Sequence, residues 1–242
     1  MTEFVVLLKL VPDIRHIPED AWDLERGTLR RNRLTLVPNP MDDRALALAL
    51  GLRERWGGRV TALSMGPGQA EALCSRALAF GADRAVLVSD RACAGSDTLA
   101  TSVVLARAIS RLCPVREELL VLAGMQSPDG DTAQVPVQTA ALLDGRVVPY
   151  VTAATVKRGP DAENAVDLTS IASRGDAHAR LEQTALPAVI TCTDQLPSLP
   201  FHTSLEQLGR AVSARVEKVT ARDLGLDEDE VGLAGSATRV VT

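Results

Sequence analysis

Short apolar runs alternate with longer stretches of helical spacing along the chain as far as Leu143. The runs contain many Val and Leu residues and have the length of buried strands. They lie at Phe4–Val11, Arg59–Met65, Arg84–Ser89 and Leu119–Gly124. The stretches between them, such as ALALALGLRER from Ala45, carry apolar residues at helical spacings. Strands that alternate with helices predict a parallel sheet covered by helices, because each parallel connection crosses a face of the sheet.

The pattern changes after Leu143. Three runs, VVPYVTAATV, AVDLTSIAS and ARLEQTALPAVIT, predict successive strands, with the middle pair turned by Arg174, Gly175 and Asp176. SLEQLGRAVSARV from Ser204 predicts a helix, and the tail after it, with its glycines and acidic residues, predicts an arm. The expected fold class is therefore α/β: a Rossmann-like, doubly wound, mostly parallel sheet with an antiparallel excursion and an extended C-terminal arm.

Composition excludes several kinds of protein. The net charge is −5, so nucleic acid is not an expected partner, because phosphate backbones are bound through concentrated positive charge. No apolar run reaches the ~20 residues of a membrane span and no secretory pattern is visible, so a cytoplasmic location without membrane insertion is expected. The cysteines at positions 74, 93, 113 and 192 have no paired spacing and are expected to be small buried residues. The sequence contains no pattern of a nucleophile with its base, so no catalytic side chain is predicted.

The segment GMQSPDGDTAQV, Gly124–Val135, follows an apolar run and precedes a helical stretch. A glycine at the end of a strand lets a ligand approach the main chain, and the first turn of a helix offers free N–H groups. This arrangement suits a phosphate. A second interpretation is equally open at this point: Asp129, Asp131 and Thr132 cap the helix and do nothing more.

Other loops are expected to meet this one, since open α/β sheets bind ligands beyond the carboxyl ends of their strands. One loop follows the first strand at Lys9, another contains Ser64, Met65 and Gly66, and a third contains Asn39–Asp42. Each has a plainer interpretation. Asn39 and Asp42 can cap a helix, Met65 can belong to the core, and Lys9 can form a surface ion pair of little energetic weight.

Several motifs occur together in one order: VVLLKLVPD, NPMDDRALALAL, ALSMGPGQAEALCSRALAFGADRAVLVSD, GMQSPDGDTAQV and LPAVIT. In this order and spacing the chain resembles the β subunit of electron transfer flavoproteins over roughly residues 3 to 242. The resemblance implies an adenine nucleotide held by Leu7, Lys9, Asn39, Pro40, Met41, Asp42, Ser64, Met65, Gly66, Gly124, Gln126, Asp129, Gly130, Asp131, Thr132, Ala133, Gln134 and Val135.

Three further segments, SDRACAGSDTLATS, DGDTAQV and VGLAGSATRVV, are similar to the electron-bifurcating branch of that family. In that branch this subunit holds a whole FAD where its relatives hold AMP. The resemblance then places Asp97, Thr98 and Thr101 near the diphosphate or the isoalloxazine, with Ser236–Thr238 closing the site. Because the chain has only two Trp, one Tyr and three Phe, it is not expected to stack a flavin between aromatic side chains.

The resemblance also implies a role. The chain would be an electron carrier rather than an enzyme, pairing with an α subunit, sharing its FAD, and holding AMP or a second FAD. Its electrons would pass from a flavin dehydrogenase, or from NADH in a bifurcating complex, to a quinone reductase or another acceptor. Residues 1–195 would be the adenine-nucleotide-binding α/β domain, and residues 196–242 the partner-docking loop, helix and C-terminal arm.

The docking loop departs from the family. An exposed leucine, Leu196 or Leu199, would be the anchor beside Pro200, but Phe201 and His202 stand where relatives have Arg and Tyr. The alternative function is a stand-alone adenine-nucleotide-binding protein of the stress-protein or ATP-pyrophosphatase-like class. The second of these normally carries S-G-G-x-D-S after its first strand, where this chain reads KLVPDI.

Overall fold

The central feature of the computed structural model is a nine-stranded sheet in which seven neighbouring strands run parallel, so the predicted α/β class is confirmed. The structure describes residues 1–23, 28–29, 33–159, 162–171, 179–200, 204–213 and 215–238. The parallel strands, in spatial order, are β9 (Arg146–Gly159), β12 (Ala188–Cys192), β8 (Leu119–Gly124), β1 (Glu3–Leu8), β6 (Arg59–Met65), β7 (Arg84–Val88) and β13 (Glu217–Val219).

Helices cover both faces of this sheet. They are α1 (Pro40–Trp56), α2 (Glu71–Phe80), α3 (Thr98–Leu112), α4 (Gln134–Leu142), α5 (Leu205–Ser213) and the short α6 (Gly232–Gly235). Phe4 and Val6 pack into one apolar cluster with α1 and α2, whereas Val5 and Leu7 pack into a second cluster with α3 and α4. Since successive residues of a strand face opposite sides, β1 is apolar at every position from Phe4 to Leu8.

The antiparallel excursion was predicted as three strands and consists of four elements. β10 (Ala162–Ile171) and β11 (Ala179–Ala185) extend the sheet beyond β9 by antiparallel pairing. The third predicted run is divided at Leu186 and Pro187, after which β12 inserts between β8 and β9 as a parallel strand. All five residues of β12 are buried, which suits a central position. The predicted turn at residues 174–176 lies outside the described residues.

Two small antiparallel pairs complete the strands: β2 (Leu10–Pro12) with β5 (Leu36–Pro38), and β3 (Trp22–Asp23) with β4 (Thr28–Leu29). The first pair is important for the site because it returns the chain to the end of β1. The Asn39 N–H then donates to the Lys9 carbonyl at 3.0 Å. Through this pairing, α1 begins beside the carboxyl end of β1.

The C-terminal segment lies against the rest of the chain. β13 adds a parallel strand beside β7, and Ala221, Leu224, Leu226 and Val231 are buried in the cluster that contains α3. The proposed division at residue 195 stays a prediction about roles, because the described part of the second segment shares the sheet and core of the first. Within the described part of the chain, no helix is long and apolar enough to cross a membrane.

Candidate functional site

The strand order places a crevice where the chain reverses direction across the sheet. From β1 the chain proceeds outward to β6 and β7, and then returns to the other side of β1 as β8. The loops after β1 and β8 therefore diverge, which is where doubly wound sheets bind ligands. A cavity of about 860 Å³ opens here. Ligand pockets in proteins commonly span about 300–1,000 Å³.

Most of the predicted site residues line this cavity. They come from the ends of four neighbouring strands and from the helices that follow them. Those on the wall are Leu7, Lys9, Asn39, Asp42, Met65, Gly66, Asp97, Thr98, Thr101, Gly124, Gln126, Asp129, Gly130, Thr132, Ala133, Gln134 and Val135. Met65 also packs against the core, and its contact with a ligand stays a prediction.

Four predicted residues are not on the cavity wall: Pro40, Met41, Ser64 and Asp131. Ser64 lies between Leu63 and Met65 on β6, and its side chain therefore faces the opposite side of the sheet from theirs. It is 1% exposed, and its hydroxyl has no hydrogen-bond partner among the described residues. Pro40 begins α1, a position that suits proline because no N–H is needed there.

Asp42 is a buried carboxylate that joins the two strands flanking the crevice. Its Oδ2 accepts the Lys9 N–H at 2.8 Å, and its Oδ1 accepts the Gly124 N–H at 3.1 Å. The Asn39 amide nitrogen donates to the same Oδ1 at 3.0 Å and to the Gln126 carbonyl at 3.0 Å. Asn39 also caps α1 by accepting from the Met41 N–H. The two residues thus act as a cap and as a clamp between β1 and β8.

Burial controls the ionisation of this clamp. Asp42 is 6% exposed, and desolvation raises the pKa of its carboxyl to about 7 against the opposing effect of its N–H donors. Asp43, one residue away, adds to the rise. The negative form of Asp42 is disfavoured because a carboxylate loses its hydration when buried.

Gly124 is required by the clamp, and its role toward a ligand stays a prediction. A Cβ at this position would lie 2.5 Å from Asp42 Oδ1 and 2.7 Å from Met41 Cβ. The sequence interpretation attributed this glycine to the approach of a ligand. In the structure, the space beside the end of β8 is filled by the start of α1.

The loop between β8 and α4 leaves the helix uncapped. α4 begins at Gln134, and Ala133 before it makes no side-chain cap. The interpretation of Asp129, Asp131 and Thr132 as helix caps is therefore wrong. Asp129 instead accepts from Lys9 Nζ at 2.8 Å, across the crevice. Although burial opposes it, hydrogen bonds from Lys9 and Ser127 lower the pKa of Asp129.

The same loop contains two residues in the left-handed region. Asp131 has φ 47° and Ala133 has φ 55°. An L-residue pays roughly 1–2 kcal/mol there, and such residues concentrate at functional sites. The strain turns the chain so that α4 starts at the cavity with its first N–H groups free of an intrachain cap.

We expect Ala133→Gly to leave the free energy of unfolding unchanged or to raise it by up to about 1 kcal/mol, because glycine removes the left-handed strain while loosening the unfolded chain. Ala141→Gly, at an exposed position of α4, is the matched control and should cost up to about 1 kcal/mol. Urea unfolding measures both. A loss of stability for Ala133→Gly as large as that of Ala141→Gly would contradict the strain argument.

The start of α3 forms another wall. Asp97 caps α3 by accepting the Ala100 N–H at 2.9 Å, and its other oxygen accepts from the N–H and hydroxyl of Thr238 at 2.9 and 3.0 Å. The Ser236 hydroxyl oxygen accepts the Asp97 N–H at 2.8 Å. Ser236 and Thr238 thus join the C-terminal segment to Asp97 on the cavity wall, and their role in closing the site stays a prediction.

Two helix N-termini meet at this wall. The Thr98 hydroxyl donates to the Gln134 side-chain carbonyl at 3.0 Å, which joins the first residue of α3 to the first residue of α4. Helix N-termini carry partial positive charge, so their convergence favours a negatively charged ligand.

Sequence reasoning missed part of the wall. Asp90, Arg91, Cys93 and Ser96 line the cavity after β7. They belong to the segment SDRACAGSDTLATS, of which only Asp97, Thr98 and Thr101 were singled out. The detectable signal was a charged pair, Asp90 and Arg91, directly after a buried strand on the ligand-binding edge of the sheet.

The leucines predicted as docking anchors are not exposed. Leu196 is 3% exposed and Leu199 is 9% exposed, and both belong to the core cluster with α1 and α2. The prediction of an exposed leucine at these positions is therefore wrong for the isolated chain. A leucine that is buried in the core of its own chain cannot contact a partner without moving. Pro200 is exposed, and its docking role stays a prediction.

The described residues contain no group of three His, Cys, Asp or Glu that could hold a metal ion. All four cysteines are free and buried, as predicted. Burial raises the pKa of Cys74 to about 12 and that of Cys113 to about 11, which keeps both thiols protonated at neutral pH.

Fold and site together define the class: a doubly wound α/β protein whose ligand crevice lies where the strand order reverses. Residues 27–224 match the model of the electron transfer flavoprotein domain. The chain belongs to the electron transfer flavoprotein family, and the predicted resemblance is confirmed.

Individual relatives cover nearly the whole chain. It is 38% identical to the electron transfer flavoprotein subunit beta of Thermoanaerobacterium thermosaccharolyticum, over 98% of this chain and 85% of that protein. It is 37% identical to the protein FixA of Azotobacter vinelandii, over 98% and 81%. It is 36% identical to the caffeyl-CoA reductase-Etf complex subunit CarD of Acetobacterium woodii, over 98% and 85%. The chain is a subunit of an electron transfer flavoprotein.

Proposed function

We propose that this chain is the β subunit of a heterodimeric electron transfer flavoprotein, and that the cavity at the strand reversal holds an adenine nucleotide. The observation that carries the proposal is the convergence of the uncapped α4 and the start of α3 on one cavity in a chain of this family. The chain would complete an FAD site together with the α subunit. It would act as a cytoplasmic carrier between a flavin dehydrogenase, or NADH, and a quinone reductase or another acceptor.

The donor set fits a phosphate group. The free N–H groups at the start of α4 and the partial positive charge of its N-terminus are available to oxyanions, whereas the N-terminus of α3 is already capped by Asp97. Lys9 offers a further cation, although it is 48% exposed and already paired with Asp129. The Asn39 and Asp42 polar atoms are largely used by the clamp, so they position the strand ends from which the ligand is held.

The extent of the cavity favours a second FAD over AMP. Its wall includes residues after β8, β1, β6 and β7, which are consecutive in the sheet. Neighbouring strands are about 4.8 Å apart, so the wall spans roughly 14 Å between the outer strand ends. A dinucleotide suits this length better than a mononucleotide. The similarity of three segments to the electron-bifurcating branch points the same way.

When bound, the flavin supplies the electron transfer, and this chain supplies binding and orientation. The described residues on the cavity wall include no aromatic side chain, so the ring would lie against aliphatic and polar groups such as Leu7, Met65 and Leu105. None of the side chains at the site has to be catalytic for such a carrier.

Nucleotide content tests the proposal. The chain should be co-expressed with its α subunit, and the complex purified and denatured, and the released FAD and AMP counted per heterodimer. We expect two FAD molecules and a yellow complex. One FAD with one AMP would retain the β-subunit assignment and reject the second FAD. A colourless homodimer formed without an α subunit would instead support the stand-alone adenine-nucleotide-binding class.

A further inference from the structure

The charged side chains of the cavity wall are nearly all used within the chain. Lys9 and Asp129 pair with each other, and Asp42 accepts from backbone N–H groups of both flanking strands. Asp97 accepts from Ala100 and from the C-terminal segment. Each of these carboxylates therefore has its own donors before any ligand is considered.

The remaining two charged residues are Asp90 and Arg91, after β7. Asp90 accepts the Ala92 N–H at 3.0 Å and the Ala221 N–H at 3.1 Å. Arg91 is exposed, and no hydrogen bond or ion pair joins its guanidinium to the described part of the chain. Arg91 is thus the cation on the cavity wall that has no partner among the described residues.

The backbone that carries Arg91 is firmly held. Residues Arg91–Cys93 form a single helical turn capped by Asp90. Gly232, with φ 61°, packs so closely that a Cβ there would lie 2.1 Å from the Ala92 carbonyl oxygen, and its N–H donates to the Ser96 hydroxyl oxygen at 3.0 Å. The C-terminal segment therefore supports the turn from outside. A free guanidinium on a supported turn is suited to a ligand in the cavity.

The position of Arg91 differs from that of the other binding groups. Arg91 follows β7, whereas Asn39, Gln126 and Asp129 lie at the ends of β1 and β8. Three strand spacings, roughly 14 Å, separate the ends of β8 and β7. A mononucleotide held beside β1 and β8 would not reach Arg91, but the second half of a dinucleotide would.

We propose that Arg91 binds the riboflavin-side phosphate of FAD in this cavity and so selects the dinucleotide over AMP. The guanidinium is a planar fork of N–H donors that matches two phosphate oxygens and remains charged at all relevant pH values. The inference rests on the proposed function, because it requires a nucleotide in the cavity.

The test uses the intact heterodimer in three forms: parent, Arg91→Ala and Arg107→Ala. Arg107 lies exposed on α3 outside the cavity and provides the matched loss of one positive charge. Each complex is stripped of the nucleotide of this chain, and FAD and AMP are titrated separately by calorimetry. The FAD shared with the α subunit is quantified independently, and urea unfolding confirms that the variants are folded.

We expect Arg91→Ala to weaken FAD binding in this cavity by about tenfold or more, the range for a hydrogen-bonded charged group. AMP binding should change by less than about twofold, and Arg107→Ala should alter neither. Equal weakening of FAD and AMP by Arg91→Ala, or no weakening of FAD, would overturn the role of Arg91 while leaving the nucleotide site in place. A parent complex that binds neither nucleotide in this chain would overturn the proposed function itself.

Discussion

Gly124→Ala should lower the free energy of unfolding by about 3 kcal/mol, through overpacking and the loss of buried hydrogen bonds. The added Cβ would lie 2.5 Å from Asp42 Oδ1 and 2.7 Å from Met41 Cβ, with the Met41 carbonyl carbon 3.0 Å away. The start of α1 would have to move away from β8. That movement breaks the hydrogen bond from the Gly124 N–H to Asp42.

Urea unfolding monitored by circular dichroism gives the size of this effect. The matched control is Gly130→Ala in the loop that follows, where the nearest atom to the added Cβ is Ser127 Oγ at an ordinary 3.8 Å. We expect the control to change stability by less than about 0.5 kcal/mol, as for surface substitutions. Similar losses for the two variants would show that the space beside β8 is not limiting.

Asp42→Asn should change the pH dependence of stability. The pKa of the Asp42 carboxyl is raised from 3.8 to about 7 in the folded chain, chiefly by burial. The folded state therefore binds a proton more tightly than the unfolded state. This contribution is fully present below about pH 4 and is lost as the pH rises to about 7. One pKa unit corresponds to about 1.4 kcal/mol, so the contribution amounts to about 4 kcal/mol.

The variant removes this titration because an amide is neutral throughout. Near pH 4 the parent, with a neutral carboxyl, should be more stable than Asp42→Asn by about 1–2 kcal/mol, because one amide N–H group faces backbone donors. As the pH rises to 7 the difference should shrink or reverse. Urea unfolding at four pH values between 4.5 and 7.5 follows it.

Only the difference in the free energy of unfolding between the parent and Asp42→Asn is interpreted, because other titrating groups contribute equally to both proteins. Asp194→Asn, an exposed change elsewhere, controls for the removal of one carboxyl group. A stability difference that grows with pH would mean that the three N–H donors outweigh burial, so that the carboxylate form is the favoured one at this position.

Local pattern was sufficient for much of the fold. The continuous apolar run of β1 reflects two clusters, one on each face of the sheet, so a buried parallel strand could be predicted from the run itself. The Asn39 cap and the helix start at Pro40 were also predictable, because a cap involves residues only two or three positions apart. The edge of the sheet at which the cavity opens followed from the alternation of strands and helices.

Contacts between distant residues decided what local pattern could not. The division of one apolar run into β11 and β12 depends on which strands are free to accept each part. Leu196 and Leu199 looked like members of an exposed loop until the core that receives them was assembled. The acidic residues before α4 are of types that commonly cap helices. In the folded chain, however, the Asp129 carboxylate accepts a hydrogen bond from the Lys9 ammonium at the end of β1 and does not cap α4.

The amino-acid sequence alone determined the class of fold, the family resemblance and the strand end at which a phosphate loop would lie, since these depend on the order and spacing of residue types along the chain. Tertiary structure decided why Gly124 has no side chain, why Asp42 is buried, and that Arg91 has no partner within the described residues. The contacts of Asp42 and Gly124 join groups 33 and 82 positions apart, which meet only when the parallel strands lie side by side, and the free energy of such contacts is a property of that arrangement.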